Sequence, residues 1–223
     1  MTTSRHPDAK SLAEKVRPEQ AAVLVVDYQN DFVASGGAFD KVGMFSDKLA
    51  YLHDRIIETI DAARRVGARV VFLRCEYNTP DNRYLSEVFL DQTRRNFKGL
   101  YHEVPVCVPD SWGSEFYGDA KPIEGDIVIT KHRFGGFSGT NLDQILRTNA
   151  IRTLIYTGVV THVCVESTVR EAFFRDYYNI VLSDVVGGYN DLFHETSLKV
   201  IDWGFGEVID LAALNEAWSR QPR

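Results

Sequence analysis

The chain has 223 residues, 44% hydrophobic and 25% charged, which are the values of a globular domain and argue against a disordered or fibrous chain. Twenty-five Lys and Arg against 31 Asp and Glu give a net charge of −6, with no basic run and no basic stripe interleaved with aromatics. This argues against a nucleic-acid groove, where affinity rests on neutralising phosphates. Three cysteines without CxxC spacing make a poor disulfide framework and point to a reducing, cytoplasmic setting. No segment approaches the ~20 apolar residues of a membrane span, and Met1–Pro18 lacks the apolar core of a signal peptide.

In chain order, residues 1–20 read as a polar extension and residues 21–223 as a single domain. Ala21–Val26 (AAVLVV) is a continuous apolar run, as expected of a strand buried on both faces of a parallel sheet. Helical spacing of apolar residues covers Asp47–Val66, with Ser46 as N-cap and Gly67 as stop. Ala68–Leu73 reads as the second strand. Cys75–Gly125 holds four of the seven prolines and reads as long active-site loops with a short helix around Arg83–Gln92. Alternation then resumes with a strand at Asp126–Lys131, a helix at Thr140–Asn149, a strand at Thr153–Gly158 and a helix at His162–Tyr178. A strand at Asn179–Asp184, a helix at Asp191–Trp203 and an edge strand at Gly206–Ile209 follow. Leu211–Trp218 reads as a docking helix or part of a subunit interface. The pattern predicts an α/β, Rossmann-like parallel sheet of about six strands with helices on both faces.

Ligands of such sheets bind outside the carboxyl ends of the strands. Asp27 closes the first strand, Lys131 closes the Asp126–Lys131 strand, and Cys164 follows the Thr153–Gly158 strand where a helix opens. A cysteine attacks as its thiolate, which a helix N-terminus and a nearby cation favour. A carboxylate beside it can take the thiol proton and return it to a leaving amine. The lysine would keep that carboxylate ionised, and the turn's N–H groups would form an oxyanion hole. Each residue alone also has a plain reading: a loop carboxylate, a solvated lysine, a small buried thiol.

VVDYQNDF (Val25–Phe32), ITKHRFGGFSGTNLD (Ile129–Asp143) and TGVVTHVCVESTVREAF (Thr157–Phe173) together resemble the isochorismatase-like cysteine hydrolases over about Ala21–Asp210. The resemblance implies that Asp27, Lys131 and Cys164 form a catalytic triad. It further implies a cis peptide at Val160–Thr161 that aims the Thr161 N–H, with that of Cys164, into the oxyanion hole. It implies a homodimer or homotetramer and, in the amidohydrolase branches, no cofactor. Metal-dependent nicotinamidases of the superfamily carry an Asp-x-His pair and a further His after the second strand. Here Arg74-Cys75-Glu76-Tyr77-Asn78 stands there, and the six histidines are scattered, so no metal is expected. Vinyl-ether hydrolysis by isochorismatases proper does not need the cysteine, which this chain retains. Cys164–Asp184 and Ile123–Lys131 are most similar to ureidoacrylate amidohydrolases, with biuret, triuret and N-carbamoyl amides as further substrates of the same branch.

The expectation is therefore a metal-independent cysteine amidohydrolase acting on a small linear ureido or carbamoyl amide. Vinyl-ether hydrolysis, nicotinamide hydrolysis and a non-catalytic binding module stand as alternatives. Asn30, Phe32, one of Glu76 and Tyr77, Phe134, Phe137, Trp112 and His162 are the candidate substrate-binding residues. Turn packing, core packing and solvated loop are the competing readings for them. Cys75 is the only rival nucleophile, and His132, beside Lys131, should point to the opposite face of its strand.

Overall fold

A computed structural model of the chain describes residues 9–44, 49 and 51–220. The expected Ser46 cap and the start of its helix at Asp47 lie outside the described residues. Six parallel strands form one sheet in the order β3-β2-β1-β4-β5-β6. They are β1 (Ala21–Val26), β2 (Arg69–Cys75), β3 (Ile127–Lys131), β4 (Thr153–Val159), β5 (Tyr178–Gly187) and β6 (Glu207–Ile209). The helices are α1 (Leu12–Lys15), α2 (Asn30–Val33), α3 (Ala38–Lys41), α4 (Leu52–Val66), α5 (Glu87–Asn96), α6 (Leu142–Thr148), α7 (Glu166–Phe173), α8 (Asp191–Gly204) and α9 (Leu211–Ser219). None is long and apolar enough to cross a membrane among the described residues.

β1 shows why the sheet lies at the centre. All six of its residues are buried. Side chains alternate across a strand, so Val23 and Val25 join one hydrophobic core while Ala22, Leu24 and Val26 join the other. The amphipathic α4 covers the first core with Leu52, Ile56, Ile60 and Ala63, and Gly67 ends it at φ +82°. α7 covers the second with Val169 and Ala172.

Several boundaries differ from the sequence reading, each for a local reason. β2 runs to Cys75 because its ladder to β3 continues to the pair Cys75–Lys131. β5 extends to Gly187 because the β4–β5 ladder shifts register between Tyr156 and Gly158 and then resumes. The expected helix at His162–Tyr178 is a π turn (Thr161–Val165) followed by α7, since the Val160 carbonyl takes both the Val163 and Val165 N–H groups. The loop helix starts later, at Glu87, where Ser86 caps it by accepting the Phe89 N–H. The tail α9 docks in cis: Trp218 is buried and its indole donates to the Val16 carbonyl at 2.8 Å. Residues 11–20 are likewise tied down, through the Ser11–Glu14 capping box and the bond from Thr153 Oγ1 to the Lys15 carbonyl.

Gly158 is required where it stands. Its φ is +95°, and a Cβ there would lie 2.2 Å from the Val26 carbonyl oxygen. Gly158→Ala is expected to destabilise the protein by about 2–4 kcal/mol through strain and overpacking. Gly67→Ala, with positive φ but open space, should cost only about 1 kcal/mol. Thermal unfolding reads the difference as roughly 2–4 °C per kcal/mol; equal melting temperatures for the two variants would refute the close approach.

Candidate active site

Four consecutive strands of the sheet each deliver one polar group to the same place. Lys131 is the last residue of β3, Cys75 the last of β2, Asp27 follows β1 and Cys164 lies in the π turn after β4. Asp27 Oδ2 lies 2.7 Å from Lys131 Nζ. The acidic and thiol ligand atoms of Asp27, Cys75 and Cys164 all lie within 4.8 Å of one another. Relative exposure is 1% for Asp27, 0% for Cys75 and Lys131, and 4% for Cys164, so the groups meet out of bulk water.

Lys131 is the centre of the cluster. Besides its ion pair with Asp27, its ammonium donates to Cys75 Sγ and to the Arg133 and Phe134 carbonyls, each at 3.0 Å. Burial opposes its charge, but Asp27, Cys164 and Cys75 outweigh that and hold the lysine well above its ordinary value. The Cys164 thiol is held well up by its hydrogen-bonding contact with Cys75 and by burial; Lys131 opposes this, while Asp27 adds to it. The nucleophile candidate therefore rests as a thiol. Asp27 sits at φ +48°, and its Oδ1 is buried with no hydrogen-bond partner. Such an unsatisfied acceptor is costly, and this one is at hand for a proton or a ligand.

Asp27, Cys75 and Cys164 are also a set that could hold a metal ion. The Lys131 ammonium, 2.7 Å from the carboxylate and 3.0 Å from the Cys75 sulfur, already brings positive charge to these donors. The geometry fits a lysine-bridged acid–thiol site better than a cation site.

The candidate substrate-binding residues divide. Cys75 faces the cluster; alternation then turns Glu76 away and Tyr77 back. The Glu76 carboxylate pairs with Arg74 at 3.0 Å, so it is not the pocket residue of the two. Tyr77 is fully buried beside the thiols, and its hydroxyl has no hydrogen-bond partner. Burial, then Cys75 and Cys164, push the phenol well up, so it is a neutral donor. Phe134 belongs to the same wall, 6.4 Å from the Tyr77 ring and 5.3 Å from Phe89 of α5. Phe137 does not: it packs against Tyr177 in the core beneath α7. Asn30 and Phe32 hold the frame, Asn30 by donating to the Trp112 carbonyl at 2.7 Å and Phe32 by packing on Phe39. The Trp112 side chain is 52% exposed, so that residue contributes its carbonyl rather than its ring. His162 packs against Phe193 of α8, with no bond to Cys164. His132, as expected, is turned elsewhere, stacked on Tyr84 at 3.5 Å.

The cis peptide lies at Val159–Val160, one residue before the expected Val160–Thr161 bond. β4 itself runs one residue further than read from the sequence, and the bond falls at its end. The N–H on the cis bond is therefore that of Val160 and not, as expected, that of Thr161; Thr161 and Cys164 both lie in the π turn that follows.

Other site residues escaped the sequence reading. Gln29 completes the end of β2: its amide donates to the Cys75 and Ser114 carbonyls and accepts the Cys75 N–H at 2.7 Å. Asp31 accepts the N–H groups of Ala38 and Cys107 at 2.9 and 2.7 Å, anchoring the long loop. Both lie in VVDYQNDF, whose polar residues were the available signal. Tyr101, buried, and Tyr189, half-buried, lie near Cys164, which helps to push both phenols up after burial itself. Loop tyrosines carry no such signal. His194 of α8 bonds Thr161 Oγ1 at 2.9 Å and so braces the nucleophile turn.

Comparison with known proteins agrees with this arrangement. The isochorismatase domain family matches residues 21–213. The ureidoacrylate amidohydrolase RutB of Cronobacter sakazakii is 32% identical over 227 residues, covering 98% of this chain and 95% of that protein. RutB of Methylorubrum extorquens is 34% identical over 221 residues, covering 91% and 87%. Among solved structures, a cysteine hydrolase from Pseudomonas syringae pv. phaseolicola superposes with a TM-score of 0.78 at 26% identity, covering 92% of this chain and 95% of that one. Nicotinamidase PncA from Bacillus subtilis shares the fold, with a TM-score of 0.72 at 23% identity over 86% and 99%.

Two measurements follow from the geometry. Lys131→Met leaves Asp27 a buried, uncompensated carboxylate and is expected to destabilise the fold by about 3–5 kcal/mol; denaturant unfolding that matches wild type would refute the central role of the pair. The second concerns His162 and His194, held low chiefly by burial, with His194 adding to the effect on His162. The unfolded chain binds their protons first, so their stabilisation is full above about pH 6.5 and is lost as the pH falls below it. A His162→Asn/His194→Asn double variant should show a flatter acid limb in melts from pH 7 down to 5; an unchanged limb would contradict this.

Proposed function

The chain belongs to the isochorismatase family and is a hydrolase of amide C–N bonds; on that premise we propose a metal-independent cysteine mechanism on a small linear ureido or carbamoyl amide. One observation carries the proposal: a buried carboxylate, ion-paired at 2.7 Å to a buried lysine, stands within 4.8 Å of a buried thiol. The names and identities of the RutB relatives support the ureido class.

The steps follow from the resting charges. Cys164 rests protonated, so proton removal accompanies attack. Asp27 takes the thiol proton as general base, and the sulfur adds to the carbonyl carbon. Lys131, 2.7 Å from Asp27, pairs with its carboxylate before this step and offsets the negative charge that develops in it. The Cys164 N–H, in the π turn after β4, receives the tetrahedral oxyanion. Asp27 then gives the proton to the departing amine or ammonia. Water, deprotonated by the same carboxylate, resolves the thiocarbamate or thioester and frees Cys164.

Burial also bears on specificity. In a site closed to bulk water, a charged group on the reacting amide would lose hydration without a partner. A ureido group is neutral and rich in N–H donors. It matches a free carboxylate oxygen as acceptor and the Tyr77 hydroxyl as donor to its carbonyl.

The test is ammonia release from ureidoacrylate, biuret, triuret, N-carbamoylsarcosine and nicotinamide, with and without EDTA. One ureido compound is expected to be turned over irrespective of EDTA, and Cys164→Ala or Cys164→Ser should lower kcat by at least about 10³-fold. Near-normal turnover by Cys164→Ala would end the covalent mechanism. Turnover of nicotinamide alone, lost with EDTA, would overturn both the metal independence and the substrate class.

A further inference from the structure

The mechanism leaves one buried nucleophilic group at its centre without a task. Cys75 Sγ lies within 4.8 Å of Cys164 Sγ and accepts a hydrogen bond from Lys131 at 3.0 Å. We propose that Cys75 and Cys164 close into a reversible disulfide when a hydroperoxide oxidises the site, making Cys75 a resolving thiol that protects the nucleophile. The inference rests on Cys164 being the reactive thiol of the reading above.

Three observations carry it. Proximity comes first: a disulfide needs its sulfurs about 2.05 Å apart, so side-chain movement of less than about 3 Å spans the gap. Second, the Lys131 ammonium donates to the Cys75 sulfur at 3.0 Å, so a cation stands beside the sulfur that attacks the sulfenic acid and offsets the negative charge that passes through it. Third, Gln29 grips the Cys75 backbone through both its N–H and its carbonyl, which holds that sulfur at the site. Cys107 stands outside the Asp27–Cys75–Cys164 cluster, and its thiol reaches the Gly113 carbonyl, at 4.0 Å.

The chemistry balances. The Cys164 sulfur attacks one oxygen of hydrogen peroxide as its proton passes to Asp27; the O–O bond breaks, giving a sulfenic acid and a hydroxide that takes that proton and becomes water. The Cys75 sulfur then attacks the Cys164 sulfur, the S–O bond breaks, and the hydroxide that leaves takes up the Cys75 thiol proton as the second water. Two thiols lose two electrons, and one peroxide becomes two waters. Without a neighbouring thiol, the sulfenic acid proceeds to the irreversible sulfinic acid.

The experiment uses the full-length, reduced protein. It is treated with a small excess of hydrogen peroxide, freed of oxidant, and mapped by non-reducing peptide mass spectrometry, with amide turnover followed before and after dithiothreitol. The expected product is a Cys75–Cys164 linked peptide pair two hydrogen atoms lighter than the free peptides, with turnover restored by dithiothreitol. In Cys75→Ser, the fraction of oxidised Cys164 that dithiothreitol recovers should fall by about ten-fold as sulfinic acid accumulates. Cys164 sulfinic acid beside a free Cys75 in wild type, a link through Cys107, or both thiols untouched would each overturn the proposal. The wild-type map decides even if Cys75→Ser folds poorly. Turnover by the untreated protein without any link would sink this inference alone. A link in a protein that hydrolyses no amide would sink the amide reading and leave this one standing.

Discussion

The buried ion pair of Lys131 and Asp27 is the interaction on which the rest of the site depends. Removing two such ions from water costs several kcal/mol each, which geometry must offset. Here Lys131 is 2.7 Å from the carboxylate, with a thiol and two backbone carbonyls as further acceptors. Strand order makes this reachable. β3 and β1 flank β2, so the pair spans the end of β2 and places Cys75 between its members. β4, on the far side of β1, brings in Cys164.

The surroundings serve that cluster in two ways. Polar side chains replace backbone pairing where the strands stop: Gln29 continues the end of β2, Asp31 ties down the loop at Cys107, and His194 braces Thr161. Aromatic rings exclude water. Tyr77 packs against Phe89, Tyr101 and Phe134, joining β2, α5 and the glycine-rich turn after Lys131 into one wall. A drier site strengthens every charge interaction inside it. It also keeps the thiol protonated at rest, so the nucleophile becomes potent only when its proton moves.

Most of the framework was legible because its signal is local. Continuous apolar runs such as AAVLVV mark strands buried on both faces, and the polar residue after each run marks the site end of the sheet. Asp27, Lys131 and Cys164 are found this way. Cys75 was harder: the apolar run of the second strand reads as ending at Leu73, and the cysteine that follows reads only as a rival nucleophile to Cys164. Only the pairing with Lys131 across two strands shows its place. Trp112 and Phe137 misled for a related reason. Composition tells that an aromatic is near a site-forming segment, but not whether the ring or the backbone faces inward. Trp112 supplies a carbonyl, and Phe137 turns into the core behind the sheet. The β5 extension and the π turn depend on a register shift and a shared Val160 carbonyl, neither of which has a one-dimensional signature.

The way the four groups are mounted constrains how this chain can vary. Each is fixed to the last residue of a strand or to the turn just past it, and a strand changes face with every residue. One residue added within β3 would turn Lys131 toward the opposite core, and one removed from β2 would turn Cys75 away from Asp27. The segment from Glu76 to Asp126 is under no such count. It leaves the sheet and returns to it at ends held by their own ladders, and loop closure costs little more as a loop grows. Insertions and deletions that alter what the site admits are therefore confined to that excursion, while strand length is set by the chemistry. A scaffold so divided can acquire a new substrate by exchanging one contiguous stretch of about fifty residues without re-registering the sheet.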